Sequence, residues 1–278
     1  MLHAALTVTV PQPPSDMQMS DALAWFSIFI FIPLGIALAL AVTHLVQGKG
    51  PMLLLCLVGG TLAAAFEPIV DVLGLVYFPD PGTATAFRFL DRPMPWLIVF
   101  VYSWYVGGQA YVAHKVFERG VDRAGVFRLW LTFAVVNAVL ETPGLLGGVY
   151  TYYGAQPFNF WGFPLWWSVV NPLMPIVGGA LITAAQVELA TPWNLLSVVP
   201  LIPMADGIAN GGTAWPVWIA LGSGIGYSVT YPAAIVTLGL VLLSLWMVAL
   251  AVARPAAEAA RSTAPAARRQ VGAALPTA

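Results

Sequence analysis

Two acidic residues, Glu67 and Asp71, lie four positions apart late in a long apolar run that begins at Met52. This spacing places both carboxyl groups on one face of a helix. An acidic side chain in the middle of a bilayer costs about 3 kcal/mol, so such residues rarely persist there without a role. Pro68 cannot donate a hydrogen bond to the carbonyl of Ala64, which opens the helix beside Glu67. The pair is therefore the first candidate for proton chemistry in this chain.

Acidic and amide residues recur at a similar depth in other apolar runs. At 1.5 Å per residue, Glu67 and Glu141 each lie about 22 Å above the inner start of their spans, and Asp206 lies about 18 Å up its own. Asn171 falls at a comparable level, and a proline stands near each of these positions, which opens the helix locally. The sequence therefore predicts a central chamber in the outer half of the membrane, roofed by the loop 150–167.

The residues of this layer form two groups according to their side-chain chemistry. The predicted catalytic residues carry carboxyl groups: Glu67, Asp71, Glu141 and Asp206. The predicted substrate-binding residues carry aromatic or amide groups: Tyr102, Tyr105, Gln109, Asn137, Trp161, Trp166, Trp167, Asn171 and Asn210. The first three of these share one helix face at i, i+3 and i+7 spacing, which carries them through the depth of the acids.

A carboxyl group in a low-dielectric chamber favours its neutral form, and a like charge one turn away adds to this effect. We therefore expect Glu67 to hold a proton and to pass it to an alkene or epoxide of a lipid-soluble substrate. Asp206 or Glu141 would then accept the final proton or place a water molecule. Aromatic rings would stabilise the intermediate carbocation by cation–π contact; the candidates are Tyr102, Trp104, Tyr105, Phe158, Phe160, Trp161, Trp166 and Trp167.

Other interpretations of the same residues remain open. Each acid could be a structural hydrogen-bonding group between helices, and the aromatic loop could be an interfacial belt. The alternative function is a proton-coupled transporter of small solutes, because mid-membrane acids relay protons and broken helices bind solutes. A third class is a structural membrane subunit. Neither a metal nor another cofactor is predicted, since His44 and His114 lie far from the acids and no span contains a lysine for a retinal Schiff base.

Composition assigns the chain to the integral membrane proteins. Of its 278 residues 59% are apolar and only 8% are charged, and the mean hydropathy is +0.83. A net charge of −1 and the absence of a basic groove argue against nucleic acid as a partner. The single cysteine, Cys56, lies inside an apolar run, so no disulfide framework is possible.

Hydropathy predicts an all-α bundle of about seven transmembrane helices, near residues 24–46, 52–77, 93–115, 126–149, 166–187, 194–211 and 229–253. Residues 212–228 are too glycine-rich to assign and fit either a re-entrant segment or an interfacial helix. If the N-terminus is outside, nine of the eleven Lys and Arg residues lie on the cytoplasmic side. We thus expect a disordered lead over 1–20, a multi-pass cell-membrane domain over 21–253, and a disordered cytoplasmic tail over 254–278.

One short region carries a family resemblance. In chain order it contains Leu140-Glu141-x-x-Gly144, Gly148-Val149-Tyr150-x-Tyr152 and Gly162-x-Pro164. It resembles the motif region of integral-membrane carotenoid hydratases and small membrane lycopene cyclases, which act on isoprenoid ends by protonation. The acids in the second and sixth spans are also similar to those of membrane-bound meroterpenoid cyclases.

The sequence also departs from this pattern. The paired carboxylates that follow the motif proline in small lycopene cyclases are replaced by Leu165-Trp166-Trp167. The resemblance nevertheless implies a membrane-bound terpene cyclase, hydratase or isomerase, a lyase or isomerase of isoprenoid or carotenoid biosynthesis. Its partner would be a hydrophobic, isoprenoid-like substrate taken from the lipid bilayer.

Overall fold

A computed structural model describes residues 9–253, and most of these residues are helical. In chain order the long helices and one short helix are α1 (Ala22–Val46), α2 (Met52–Gly74), α3 (96–119), α4 (Arg123–Leu146), α5 (Leu165–Ala185), α6 (Pro192–Thr213), α7 (Trp215–Gly222) and α8 (Tyr227–Val252). Six of them, all except α3 and α7, are long and apolar enough to cross a membrane. The prediction of a helical membrane protein is therefore confirmed.

Helix α3 corresponds to the predicted third span, although it is not one of these six. It continues without a break from an α-helical start (Trp96–Tyr102) through a π-helical segment (Ser103–Gly108) to an α-helical end (Gln109–Arg119). The helix carries polar side chains along one face, which lowers its hydropathy. Such π-helical segments are frequent at functional sites, and this one adjoins two of the predicted substrate-binding residues.

Where the sequence predicts that α2 opens, the structure shows a change of helix type instead. Residues Ala64–Phe66 form a 3-10 turn between two α-helical parts, Met52–Ala63 and Glu67–Gly74. Because Pro68 has no N–H for the carbonyl of Ala64, the N–H of Glu67 bonds that carbonyl instead, at the tighter 3-10 spacing. The proline therefore tightens the backbone at the acidic residue rather than breaking the helix.

Helices α2 and α3 approach each other so closely that their contact requires glycine. A Cβ atom on Gly107 would lie 2.0 Å from the backbone oxygen of Cys56, and one on Gly60 would lie 2.5 Å from that of Tyr102. Gly179 of α5 meets α3 in the same way, 2.5 Å from the Cβ atom of Ala113. Small residues allow helices in lipid to pack backbone against backbone. This packing fills the bundle on the side of the inner helix ends.

Short strands form a cap over the end of the bundle at which α2 and α4 end. In chain order they are β1 (Val76–Tyr77), β2 (Thr85–Phe89), β3 (Arg92–Pro95), β4 (Thr151–Tyr152), β5 (Asn159–Phe160) and β6 (Phe163–Pro164). They pair antiparallel as β1–β4, β2–β3 and β5–β6. The first pair joins the two loops that follow α2 and α4, so it ties together the helix ends that carry Glu67 and Glu141. Hydropathy did not predict these strands, because each is only two to five residues long.

The structure describes part of the predicted N-terminal lead and none of the predicted C-terminal tail. Residues 9–20 of the predicted lead are not helical, and Pro11 lies against Gly154 of the cap. Residues 1–8 of that lead, and the predicted tail 254–278, lie outside the described residues.

In the unassigned stretch 212–228, α7 is a helix of eight residues that contacts α8 and the Glu67–Gly74 part of α2. At about 12 Å it is too short to cross a membrane.

Candidate active site

A partly enclosed cavity lies between the parts of α1 to α5 that are nearest the β1–β4 pair. Its volume is about 80 Å³, enough for a few water molecules or a small chemical group. Carboxyl, amide and aromatic side chains line it together with aliphatic ones, and the polar and aromatic set is Phe26, Glu67, Asp71, Phe78, Tyr102, Tyr105, Asn137, Glu141, Tyr150, Tyr152, Trp167 and Asn171. The structure thus brings three of the four predicted catalytic acids to one cavity.

Glu67 has one hydrogen-bond partner among the described residues. The hydroxyl group of Tyr102 donates to Oε2 of Glu67, across the contact between α2 and α3. The other oxygen, Oε1, has no protein partner and belongs to the lining of the cavity. One oxygen is therefore held in place by a fixed donor while the second has no donor among the described residues, in a residue that lines the cavity, and a proton donor needs such an arrangement.

Glu141 has more hydrogen-bond donors around its carboxyl group than Glu67 has. Tyr150 donates to its Oε2 over 2.5 Å and Tyr152 donates to the same atom over 3.0 Å. The amide of Asn137 donates to Oε1 over 3.3 Å, and that of Asn171 lies at 3.5 Å. A carboxylate has about four acceptor positions, and these donors occupy them. Glu141 is therefore surrounded as an anion or proton acceptor would be.

Asp71 lines the same cavity but has no hydrogen-bond partner at either oxygen, although its side chain is only 1% exposed. Its nearest cationic neighbour is Arg92, which acts on it electrostatically but forms no ion pair within 4.0 Å. A buried carboxyl group without a donor is unusual, because the lost hydration must be compensated. Neither oxygen has, among the described residues, the donor that would compensate its burial.

Arg92 is held in the cap by two tyrosines. Its Nη2 atom donates to the hydroxyl of Tyr153 over 2.8 Å, and its guanidinium lies 5.7 Å from the ring centre of Tyr77 and 5.9 Å from that of Tyr153. Burial raises the pKa of Tyr153, and the positive charge of Arg92 opposes this increase. The sequence analysis missed Arg92, because a single arginine beside a proline in an outer loop carries no local signal of burial.

Asp206 of α6 does not line the cavity. Its Oδ1 atom accepts a hydrogen bond of 2.7 Å from Asn210, whose amide also contacts the sulfur of Met174 at 3.2 Å. Met174 lines the cavity and thus separates this pair from it. The expectation that Asp206 faces the shared chamber is therefore not met. Gln109 likewise lies one turn too far inward on α3 and is buried outside the lining.

The predicted aromatic wall is only partly present. Trp167 lines the cavity, and Trp166 stacks behind it with ring centres 4.1 Å apart. Trp161 is 85% exposed at the tip of the β5–β6 hairpin, where it cannot reach the cavity. Positive φ angles at Trp161 and Gly162 make this tip a tight hairpin turn that points the side chain away. Three further predicted wall residues also lie outside the lining: Trp104, Phe158 and Phe160.

A buried glutamine in the cap, which the sequence analysis did not identify, fixes the aromatic pair. Gln156 accepts a hydrogen bond of 3.1 Å from Nε1 of Trp166 and donates over 2.8 Å to the carbonyl of Gly74, at the end of α2. Gly74 leaves room for the ring of Trp167, which a Cβ atom there would meet at 2.3 Å. The cap thus sets the position of the indole ring against the helix that carries Glu67 and Asp71.

Among residues 9–253, no group of three or more His, Cys, Asp or Glu side chains is arranged to hold a metal ion. No protein-family model, curated protein or solved structure matches this chain.

Proposed function

We propose that this protein is an integral membrane enzyme that acts on a lipid-soluble, isoprenoid-like substrate by protonation, as a terpene cyclase, hydratase or isomerase. The observation that carries the proposal is the position of Glu67, with one oxygen held by Tyr102 and the other facing an aromatic cavity. Proton donors of this kind protonate alkenes or epoxides that water would leave unreacted.

Different residues of the cavity carry out different steps of the proposed reaction. Glu67 gives its proton to an alkene carbon, and the neighbouring carbon becomes a carbocation. The rings of Tyr102, Tyr105 and Trp167 stabilise this cation through their electron-rich faces. In a cyclisation or isomerisation, a proton then leaves an adjacent carbon for Glu141, so that the substrate gains and loses one proton. In a hydration, a water molecule adds to the cation and the extra proton of the resulting oxonium group passes to Glu141, which leaves the alcohol.

The transporter alternative lacks a supporting observation in the described bundle. A transport path must continue from the cavity to the inner side of the membrane. Below the cavity, however, Gly60 and Gly107 bring α2 and α3 into backbone contact, and Gly179 does the same for α5 and α3. The polar cavity therefore ends in close-packed small residues.

The proposal includes a topology. We infer seven crossings, with α3 as the third, the N-terminus outside and the C-terminus in the cytoplasm of a cell membrane, because nine of eleven basic residues then lie inside. The cavity and its cap would accordingly face the outer half of the bilayer.

The test is turnover of candidate prenyl substrates, including linear alkenes and terminal epoxides, in membranes that contain the protein. Glu67→Gln keeps the shape of the side chain but removes the proton, so turnover should fall by about 10²–10⁴-fold while expression and folding persist. Glu188→Gln, which changes an acid near the inner ends of α5 and α6, is the control and should retain turnover. Near-normal turnover by Glu67→Gln would mean that Glu67 is structural, and the proposed mechanism would then be wrong.

A further inference from the structure

The hydrogen-bonding groups of the cavity are not balanced. Three acceptor atoms of residues that line it have no donor among the described residues: both oxygens of Asp71 and Oδ1 of Asn137. The unpartnered donors are the indole N–H of Trp167 and the hydroxyl of Tyr105, which lies beside Asn137 without forming a hydrogen bond. The excess of acceptors indicates a ligand that donates hydrogen bonds.

The charges of the cavity are unbalanced in the same direction. Three carboxyl groups line it, and its lining contains no Lys, Arg or His. The nearest cation, Arg92, is engaged with the cap tyrosines and makes no ion pair with any of the three acids. Buried charges in proteins are usually paired. Asp71, which has neither a hydrogen-bond donor nor an ion-pair partner among the described residues, is therefore the group that a positively charged ligand would pair with.

The aromatic part of the lining matches a cation as well. Seven rings border the cavity: Phe26, Phe78, Tyr102, Tyr105, Tyr150, Tyr152 and Trp167. Rings in this number around a carboxyl group form the kind of cage that binds ammonium groups, because the ring faces attract positive charge and the methyl groups pack against them. We propose that the cavity binds the head of a lipophilic tertiary amine in its ammonium form, with its N–H donated to Asp71.

The alkyl chain of such a ligand has an apolar surface close to the cavity. Phe26 of α1 and Leu140 of α4 line the cavity. Their chain neighbours Trp25 and Val139, together with Pro143, line an open apolar groove of about 740 Å³ on the same two helices. The cavity holds the head, and the groove, which faces lipid, holds the chain. The inference rests on the cavity of the proposed function but not on its catalytic step, because the ammonium group imitates the charge of the carbocation without reacting.

A ligand series tests this on the native protein. The purified full-length chain in dodecyl maltoside micelles is titrated with N,N-dimethyldodecylamine, with dodecyltrimethylammonium and with 2-methyltetradecane, and the thermal unfolding midpoint is recorded. We expect half-maximal stabilisation by the tertiary amine at a concentration at least tenfold lower than for the hydrocarbon. The quaternary ion should fall between them, because it keeps the charge but has no N–H for Asp71. Equal effects of amine and hydrocarbon would overturn the proposal.

Two variants locate the binding site. Asp71→Asn should weaken the tertiary amine about tenfold and affect the hydrocarbon little, whereas Asp16→Asn, which alters an exposed acid of the outer segment, should leave the order of affinities unchanged. An amine preference that survives both Asp71→Asn and Glu67→Gln would place binding elsewhere and refute the assignment. If the amine binds but no prenyl substrate reacts, the proposed enzyme function fails alone; if substrates react but the amine does not bind, this inference fails alone.

Discussion

Tyr102 and Tyr105 form a natural matched pair for testing the description of the cavity. Both are buried on α3, one turn apart, and both line the cavity. The hydroxyl of Tyr102 donates to Glu67, whereas the hydroxyl of Tyr105 has no hydrogen-bond partner. Changing each tyrosine to phenylalanine removes only that hydroxyl, so the two variants separate the hydrogen bond from the ring.

The expected effects differ in size and in sign. Tyr102→Phe removes a hydrogen bond to an acidic group and leaves both Glu67 oxygens without a protein donor, which should cost about 1.5–3 kcal/mol of unfolding free energy. For a chain of this size that is a decrease of roughly 3–12 °C in the unfolding midpoint. Tyr105→Phe removes an unsatisfied buried hydroxyl and should be neutral or slightly stabilising.

The measurement is thermal unfolding of both variants in one detergent, followed by a double-mutant cycle with Glu67→Gln. Because Glu67 is the partner of Tyr102 alone, Tyr102→Phe should couple to Glu67→Gln by about 0.5–3 kcal/mol, and Tyr105→Phe should add independently. The same pair should differ in turnover of a prenyl substrate, with the larger loss in Tyr102→Phe. Equal destabilisation by the two variants, or no coupling of Tyr102 to Glu67, would refute the assigned contact.

Two further predictions concern the bundle. Gly107→Ala should destabilise the protein by about 3 kcal/mol or more, because the added methyl group would meet the backbone of α2 at 2.0 Å. Gly108→Ala is the control and should be nearly neutral, because its methyl group would find its nearest neighbour at 3.6 Å. Equal unfolding midpoints of the two variants would contradict the packing. The topology is tested with two reporters, each fused after Ala253. The reporter that works only in the cytoplasm should give a signal, and the reporter that works only outside the cell should give none. The reverse result would invert the inferred orientation.

The sequence alone determined the membrane class and the approximate limits of the helices, and it predicted a depth for the acidic residues. These properties are local, because the hydropathy of a segment decides whether it enters lipid and the rise per residue converts position into depth. The special backbone at Glu67 was predictable for the same reason, since Pro68 acts on a carbonyl only four residues away. The chamber roof over 150–167 was also recognisable from its aromatic residues.

Only the tertiary structure decided which residues meet. Asp206 lies on α6, but the rotation of that helix puts it behind Met174. Rotation about a helix axis depends on packing against neighbours, which hydropathy does not encode. Tyr150 and Tyr152 reach Glu141 because the β1–β4 pair folds their loop over α4, while the β5–β6 turn carries Trp161 away. Depth along a helix follows from counting residues, but neighbours across the bundle follow from how close-packed side chains and glycines fix each helix against the next.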